Sequence, residues 1–247
     1  MNRPIFLIIL ATWVAATPLS VKAIAAAEPS TGAGNSETGT IEGVVIYESD
    51  RRRPWRYRRN YVRNRKAGLL AEAVVCIEGL QTPKVPEAQV KAKAVLDQKD
   101  YNFIPETQAV LAGTVVTFTN SDPFRHDVTA KNTRQRFRVE LRLGDKIPRI
   151  LDQPGGIDDP LALTCAYHSA MRGWIYVFKH PYFAMTDEKG TFRIENVPPG
   201  QHKLVVVHPA GELRSEQVVD VKAGETTQIE IRLSPDHLIP REQPQQP

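Results

Sequence analysis

Short runs of alternating apolar and polar residues dominate the sequence from residue 40 onwards. TIEGVVIYES and AEAVVCIEG occur early, and TFRIENV, HKLVVV, EQVVDV and TQIEIRL occur late; all are rich in Val and Ile. Turn-forming groups that contain Gly, Pro and Asp separate the late runs at regular intervals. No stretch after residue 27 has a convincing helical period. The pattern predicts an all-β protein of the sandwich type.

Residues 1–27 form a different kind of segment. They begin with Arg3, continue with an apolar run over residues 5–16 and end in AIAAA, which is typical of a secretory signal peptide. That run is shorter than the roughly 20 residues needed to cross a bilayer, and no later run is long enough. We therefore expect a periplasmic or secreted protein that starts near Glu28 and has no transmembrane span after signal removal. An uncleaved membrane anchor is the alternative.

The candidate chemistry lies in CAYHSAM, residues 165–171. It places the thiol of Cys165, the imidazole of His168 and the thioether of Met171 three residues apart. Copper that changes oxidation state is held by two imidazoles and a thiolate in a plane, with a weak axial thioether. A second imidazole is available from His126, at the end of the strand-like run TFTNSDPFRHDV. The predicted metal ligands are therefore His126, Cys165, His168 and Met171.

The C-x-x-H-x-x-M spacing followed by Arg-Gly, with YNFIPETQAVLAGTVVTFTNSDPFRHDV upstream, resembles the cupredoxins, or blue copper proteins, of the amicyanin and plastocyanin type. The resemblance assigns residues 91–180 to a cupredoxin domain, a Greek-key β-sandwich that binds one type 1 copper ion. It also implies one-electron transfer, with a redox partner that docks near His168. Candidates for the docking patch are Pro123, Phe124, Tyr167 and Ala170, with Arg125 and Arg172 adding positive charge around it.

Three positions depart from the cupredoxin pattern. Asp127 stands where an Asn or Ser side chain usually ties the two ligand loops together, and an ionised aspartate cannot donate that hydrogen bond. Ser169 replaces a proline, and Leu163 replaces an aromatic residue. These changes leave the ligands in place and bear on loop rigidity and reduction potential.

The remaining cysteine and histidines have plainer interpretations. Cys76 lies in an apolar strand-like run, where a buried, inert thiol is expected, although in an exported protein a disulfide between Cys76 and Cys165 is the alternative. His180 and His208, each before a proline, are interpreted as turn residues rather than as a second metal pair. The six histidines include no H-x-H pair of the kind that multicopper oxidases need, so we expect a protein that is not an enzyme.

The C-terminal runs resemble the carboxypeptidase regulatory-like domains, which are small transthyretin-like sandwiches with T-D-x-x-G-x-F and P-x-G turns. The G-x-V and A-x-V strands that open that family match Gly43-Val44-Val45 and Ala73-Val74-Val75. We therefore predict one discontinuous sandwich from residues 40–80 and 181–234, interrupted by the cupredoxin domain. A serial layout, with 40–80 as extra cupredoxin strands, is the alternative. Residues 28–39 are predicted to be a flexible leader, and 235–247 a disordered, proline-rich tail.

Charge is distributed unevenly along the chain. The net charge is +4 overall, yet residues 51–66, RRRPWRYRRNYVRNRK, contain nine basic and no acidic residues, with Trp55, Tyr57 and Tyr61 interleaved. In an exported protein this segment is expected to dock on an anionic surface or polymer, or to be a solvated, disordered loop; nucleic acid is not expected. The predicted function is one-electron transfer by a type 1 copper protein. The alternatives are copper capture or delivery, and a metal-free binding module of the cell envelope.

Overall fold

The protein is built almost entirely from β-strands. The computed structural model describes residues 37–54, 61–62, 64, 66–80 and 93–239, so the predicted signal peptide 1–27 lies outside the described residues. Two short 3-10 helices, Pro209–Gly211 and Pro235–His237, accompany the described strands, and the predicted all-β fold class is confirmed. The strands are β1 (Gly39–Tyr47), β2 (Val74–Glu78), β3 (Lys93–Lys99), β4 (Asn102–Ile104), β5 (Thr107–Leu111), β6 (Thr114–Asn120), β7 (His126–Lys131), β8 (Arg136–Leu141), β9 (Lys146–Leu151), β10 (Leu161–Thr164), β11 (Arg172–Phe178), β12 (Phe183–Met185), β13 (Thr191–Val197), β14 (Gly200–His208), β15 (Leu213–Val221) and β16 (Thr226–Leu233).

The strands at the two ends of the chain pair with each other. One sheet has the order β13-β1-β16 and a second has the order β12-β2-β14-β15. β1 runs antiparallel to β13 and parallel to β16, while β2 lies between β12 and β14. We call these two sheets the interrupted sandwich, because β3–β11 lie between its strands in sequence. The serial layout does not describe this pairing, since β1 and β2 join the C-terminal strands.

The intervening strands form a second pair of sheets, which we call the inserted sandwich. Its sheets have the orders β5-β11-β10-β7-β8 and β4-β3-β6-β9. Alternating side chains of β6, for example, are buried and partly exposed, so that Val116 and Phe118 point into the core while Val115 and Thr117 do not. The core between the two sheets is aliphatic, with Leu96, Phe103, Phe118, Val128, Leu141, Leu151, Leu161 and Ile175 among its members.

A third apolar cluster lies where the two sandwiches meet. Val74, Cys76 and Val205 of the interrupted sandwich pack there with Tyr176 and Phe178 of β11. Strands β2 and β14 are consequently covered on both faces, which explains why VVCIE and LVVV read as continuous apolar runs rather than alternating ones.

The C-terminal part of the basic segment, from Tyr61 onwards, packs against the interrupted sandwich. Val62 forms a β-bridge with Leu70, and Tyr61 and Val62 are each only 3% exposed. Gly68 closes the return with a φ of +73°, and a Cβ at this position would lie 2.5 Å from the carbonyl oxygen of Tyr47. The Tyr61 ring is therefore a core residue and not part of an exposed surface, while the two expectations for the segment as a whole stay predictions. Residues 55–60, with Trp55 and Tyr57, lie outside the described residues.

The start of the predicted disordered tail is also ordered, which corrects that prediction for residues 235–239. The Ser234 hydroxyl accepts a hydrogen bond from the N–H of Asp236, and Pro235 occupies the first turn of the 3-10 helix. Leu238 then bridges to Leu213 of β15. The capped turn and this backbone pairing hold the segment against the sheet; residues 240–247 lie outside the described part of the chain.

Candidate metal centre

The CAYHSAM segment connects β10 to β11. The N–H of Met171 donates to the carbonyl oxygen of His168 at 3.0 Å, which closes the connection into a tight turn. Cys165 lies directly after β10 and is 3% exposed, whereas His168 is half-buried and the neighbouring Tyr167 is 43% exposed. The loop therefore places its thiol inside the sandwich and its imidazole at the boundary with solvent.

Strand pairing brings His126 to this loop. His126 is the first residue of β7, and β7 pairs with β10 in an antiparallel register that sets Thr129 opposite Thr164. Because the strands are antiparallel, the C-terminal end of β10, where Cys165 follows, lies beside the N-terminal end of β7, where His126 stands. Two segments that are far apart in sequence thus meet at one end of the inserted sandwich. The backbone N–H of Asp127, for example, contacts Sγ of Cys165, which lies 38 residues later.

Three soft donor atoms converge at this end. Cys165 Sγ lies 3.9 Å from Nδ1 of His126 and 3.7 Å from Nδ1 of His168, and the two Nδ1 atoms are 2.9 Å apart. A point equidistant from three atoms with these separations lies about 2 Å from each, which is the length of a metal–imidazole bond. Within the described residues, this is the one group of His, Cys and acidic side chains found close enough to share a metal ion. The donor set fits copper, for which thiolate and imidazole are preferred ligands.

A buried carboxylate fixes the orientation of His126. Oδ2 of Asp122 lies 2.8 Å from Nε2 of His126, and both side chains are buried. Burial would raise the pKa of Asp122, but hydrogen bonds from the backbone N–H groups of Tyr101 and Asp100 and from His126 outweigh it and lower the pKa below its ordinary value. An ionised carboxylate only accepts hydrogen bonds, so Nε2 carries the proton. Nδ1 is then the ring nitrogen left to bind a metal ion, and it faces Cys165 and His168.

Asp127 ties the two ligand segments together in a way that the sequence did not predict. Its Oδ1 accepts a hydrogen bond from the N–H of Ala166 at 2.5 Å, so the link between the loops exists with the aspartate as acceptor instead of donor. Its own backbone N–H points to Cys165 Sγ at 3.5 Å. Arg138 donates to Oδ2 of the same carboxylate at 2.8 Å. The departure from Asn therefore preserves the connection and adds a buried negative charge.

Met171 lies on the interior side of the loop. It is 1% exposed and belongs to the same apolar cluster as Cys165 and Val128. Its position, one residue before β11, follows from the turn that begins at His168. Its role as the axial ligand stays a prediction.

Exposed aromatic side chains lie on the same surface as His168. Phe124 and Tyr167 of the predicted docking patch are 50% and 43% exposed, and Pro123 and Ala170 are exposed as well. Sequence reasoning missed Tyr101, whose ring lies 4.9 Å from that of His168 and is stacked at 5.3 Å on Phe124. Asp100 and Tyr101 form a turn with positive φ that no simple pattern marks.

The two arginines predicted to add positive charge to this patch differ in their surroundings. Arg125 lies over the Tyr167 ring at 5.3 Å and forms an ion pair with Glu140. Much of its charge is therefore balanced locally. Arg172 is exposed; partial burial raises the pKa of Glu106, and the charge of Arg172 opposes this shift without reversing it.

The other cysteine and histidines have structural roles. Cys76 and Cys165 are both free and lie in different apolar clusters, and burial raises the pKa of Cys76 to about 12. Nδ1 of His208 accepts a hydrogen bond from the N–H of Gly211 at 2.9 Å, and Nδ1 of His180 accepts from the N–H of Tyr182 at 3.3 Å. Each imidazole caps a turn, and burial lowers the pKa of both rings.

Comparison with known protein families identifies the C-terminal part of the interrupted sandwich. The model of the carboxypeptidase regulatory-like domain matches residues 176–234. The predicted resemblance to that family is confirmed. No curated protein matches the sequence.

Solved structures similar to the chain include copper proteins. The copper-containing nitrite reductase of Thermus scotoductus is 23% identical with a TM-score of 0.32, and the match covers 35% of this chain and only 22% of that chain. A purple cupredoxin from Nitrosopumilus maritimus is 20% identical, with a TM-score of 0.29 over 34% of this chain and 98% of that one. A reduced amicyanin mutant is 16% identical, with a TM-score of 0.31 over 42% and 97%.

Within the described residues, no helix has the length and apolar character required to cross a membrane.

Proposed function

We propose that the protein is an exported electron carrier that holds one type 1 copper ion through His126, Cys165, His168 and Met171. The observation that carries this proposal is the convergence of one buried thiol and two imidazoles whose donor atoms all lie within 4.8 Å of one another. Copper bound by such donors alternates between Cu(I) and Cu(II) and so carries a single electron.

The chain holds these donors in a way that suits electron transfer. Asp122 fixes the His126 ring from behind, and Asp127 holds the Cys165 loop through the N–H of Ala166. Donors held by such contacts keep the same geometry in the Cu(I) and Cu(II) states, so the reorganisation energy of each electron transfer stays small. Hydrogen bonds of this kind also orient ligands and tune the metal.

His168 is proposed as the point at which electrons enter and leave. It is the half-buried member of the donor group; the exposed ring of Tyr101 packs against it at 4.9 Å, Phe124 stacks on Tyr101, and the exposed Tyr167 precedes it in sequence. Clustered exposed aromatic side chains are typical of surfaces that bind other proteins. A redox partner is proposed to dock on this aromatic surface.

Export and the basic segment complete the proposal. Residues 1–27 have the composition of a secretory signal, so the carrier is proposed to act in the periplasm or outside the cell. Within residues 51–66, Arg51 and Arg52 are exposed, while Arg53 is paired with Asp50 and Asp236. Attraction of this segment to an anionic surface or polymer would keep the carrier in place.

The test separates a carrier from a copper-delivery protein. The protein is loaded with one equivalent of Cu(II), reduced with ascorbate, exposed to excess bathocuproine as a Cu(I) chelator, and reoxidised with ferricyanide. A carrier retains its copper, and the blue thiolate-to-copper absorption returns over repeated cycles. Loss of the ion to the chelator in each reduced state would contradict electron transfer and favour copper delivery. Cys76→Ala is the matched control, because it removes a buried thiol without touching the donor group.

A further inference from the structure

A buried negative charge lies beside the thiol of the donor group. Asp127 is 0% exposed, and its backbone N–H lies 3.5 Å from Cys165 Sγ. Its carboxylate Oδ1 accepts from the N–H of Ala166, the residue that follows the cysteine. When Cys165 binds a metal ion as a thiolate, a further negative charge this close favours the more positive ion unless an opposite charge compensates it.

Arg138 supplies that opposite charge. It lies on β8, directly opposite Thr129 of β7, and its Nε donates to Oδ2 of Asp127 at 2.8 Å. The Thr129 hydroxyl donates to the same oxygen at 2.8 Å. The Arg138 side chain is 50% exposed, whereas that of Asp127 is fully buried. The positive charge of Arg138 is thus at the surface, and the negative charge of Asp127 that it compensates is in the interior.

The contacts of Arg138 continue towards the proposed docking surface. Its second guanidinium nitrogen lies 3.5 Å from a carboxylate oxygen of Glu140. Glu140 in turn accepts a hydrogen bond from the Tyr167 hydroxyl at 3.1 Å and pairs with Arg125. Charged and polar contacts therefore connect the buried Asp127 with the exposed ring of Tyr167.

We propose that Arg138 is a positioning residue for the metal centre: acting through Asp127, its charge sets how strongly the Cys165 loop favours Cu(II) over Cu(I). This inference rests on the proposed function. With the guanidinium present, the negative charge of Asp127 is compensated, and the carboxylate accepts the hydrogen bond from the N–H of Ala166. Without it, an uncompensated negative charge beside the thiolate favours the more positive ion, and the reduction potential falls.

The test is a double-mutant cycle on the copper-loaded protein, with Arg138→Gln, Asp127→Asn and the double variant. Arg138→Gln is expected to lower the ratio of Cu(I) to Cu(II) affinity by about tenfold, which is 59 mV for a one-electron couple. In the Asp127→Asn background, the same change at 138 is expected to have little effect, because no buried charge remains to be unmasked. Voltammetry measures all four potentials.

Arg136→Gln is the matched control. Arg136 is exposed and lies two residues before Arg138 on β8, so it projects from the same face of the strand and carries the same charge. Its removal is expected to shift the potential by less than a third of the Arg138→Gln shift. Equal shifts in the two variants would overturn the proposal, because they would show a general effect of surface charge.

A metal-free measurement gives a second, independent readout. Urea unfolding of the copper-free protein is expected to show a lower midpoint for Arg138→Gln, since a buried carboxylate loses its partner, and recovery of that midpoint in the double variant. If the midpoint is not recovered, the two residues are not coupled and the proposal is wrong, whatever copper does. If the midpoint is recovered but the potentials do not move, Arg138 has only a structural role and the proposal is also wrong. Failure of the proposed function has a different signature, namely a wild-type protein that gives no blue complex.

Discussion

The two sandwiches each bury a cysteine and a histidine, yet among the residues that the structure describes, only those of the inserted sandwich bring metal-donor atoms together. Cys76 and His208 of the interrupted sandwich are 1% and 0% exposed, and Cys165 and His126 of the inserted sandwich are 3% and 0% exposed. Residue type and burial are therefore nearly the same in both. What differs is the set of atoms that each side chain faces.

In the interrupted sandwich, Cys76 faces Val205 and other apolar groups, and His208 uses Nδ1 to cap a turn. In the inserted sandwich, Cys165 faces two imidazole nitrogens, and His126 has its Nε2 committed to Asp122 so that Nδ1 points to the thiol. A metal centre is thus recognised by the convergence of several donor atoms, one of them held in place here by a buried carboxylate, and a buried cysteine or histidine alone does not indicate one.

The largest expected effect is on copper binding, when each cysteine in turn is replaced by alanine. Cys165→Ala is expected to abolish the blue colour of the Cu(II) complex, because the thiolate is the strongest donor of the group. Cys76→Ala is expected to leave the colour and the copper stoichiometry unchanged. Visible absorption of both variants with one equivalent of Cu(II) checks the contrast. A blue Cys165→Ala protein would remove the distinction between the two cysteines.

The next largest effect tests how far the two sandwiches are independent. Phe178 of β11 is 1% exposed and stacks at 4.5 Å on Phe183 of β12, across the junction between them. Phe178→Ala is expected to reduce the free energy of unfolding by about 3–5 kcal/mol through the cavity it leaves. Urea unfolding, followed by tryptophan fluorescence and by circular dichroism, is expected to show one transition for the wild type and two for the variant. Two transitions already in the wild type would show that the junction does not couple the sandwiches.

A smaller effect concerns pH and the capping histidine of the interrupted sandwich. Burial lowers the pKa of His208 to about 3, whereas an unfolded histidine has a pKa of about 6.5. Between these values the unfolded chain binds a proton that the folded chain does not. The contribution of a neutral His208 to the free energy of unfolding is therefore fully present above about pH 6.5. Below that pH it falls by at most about 1.4 kcal/mol per pH unit as the solution is acidified.

His208→Asn is expected to flatten this slope while leaving copper binding intact. Urea midpoints at several pH values between 7.5 and 5 measure it. Part of the slope is expected to persist in the variant, because burial also lowers the pKa of His180. Identical slopes in wild type and variant would contradict a neutral, buried His208.

The smallest expected effect lies where the basic segment meets both sandwiches. The Tyr61 hydroxyl donates to Glu106, and the Tyr61 ring packs edge-on at 4.3 Å against His208. Tyr61→Phe keeps the ring and removes one hydrogen bond, so the free energy of unfolding is expected to fall by about 1–2 kcal/mol with no change in the blue absorption. A changed absorption would mean that this contact reaches the donor group and that the sandwiches are less distinct than their cores indicate.

Strand patterns and loop spacing predicted much of this molecule because both are local. TFRIENV forms β13, in which burial alternates from Thr191 to Glu195 as a period of two requires. The spacing of Cys165, His168 and Met171 fits one short loop, and His126 joins it through the pairing of β7 with β10. Each of these follows from neighbours in sequence or from one strand register.

Other features depend on contacts that a single sequence does not display. Arg138 meets Asp127 only because β8 pairs with β7, and Tyr101 reaches His168 only through a turn of positive φ held by Asp122. Tyr61 was expected among exposed aromatics because its neighbours in sequence are basic, but a β-bridge at residue 62 returns it to the core. Tertiary pairing decided these positions, and charge composition did not.

The central claim is that His126, Cys165 and His168 hold one type 1 copper ion. Titration of the reduced, copper-free protein with Cu(II), followed by visible absorption, tests it most directly. The account predicts an intense blue thiolate-to-copper band that grows linearly and stops at one equivalent. A titration that gives no such band while Cys165 remains reduced would contradict it.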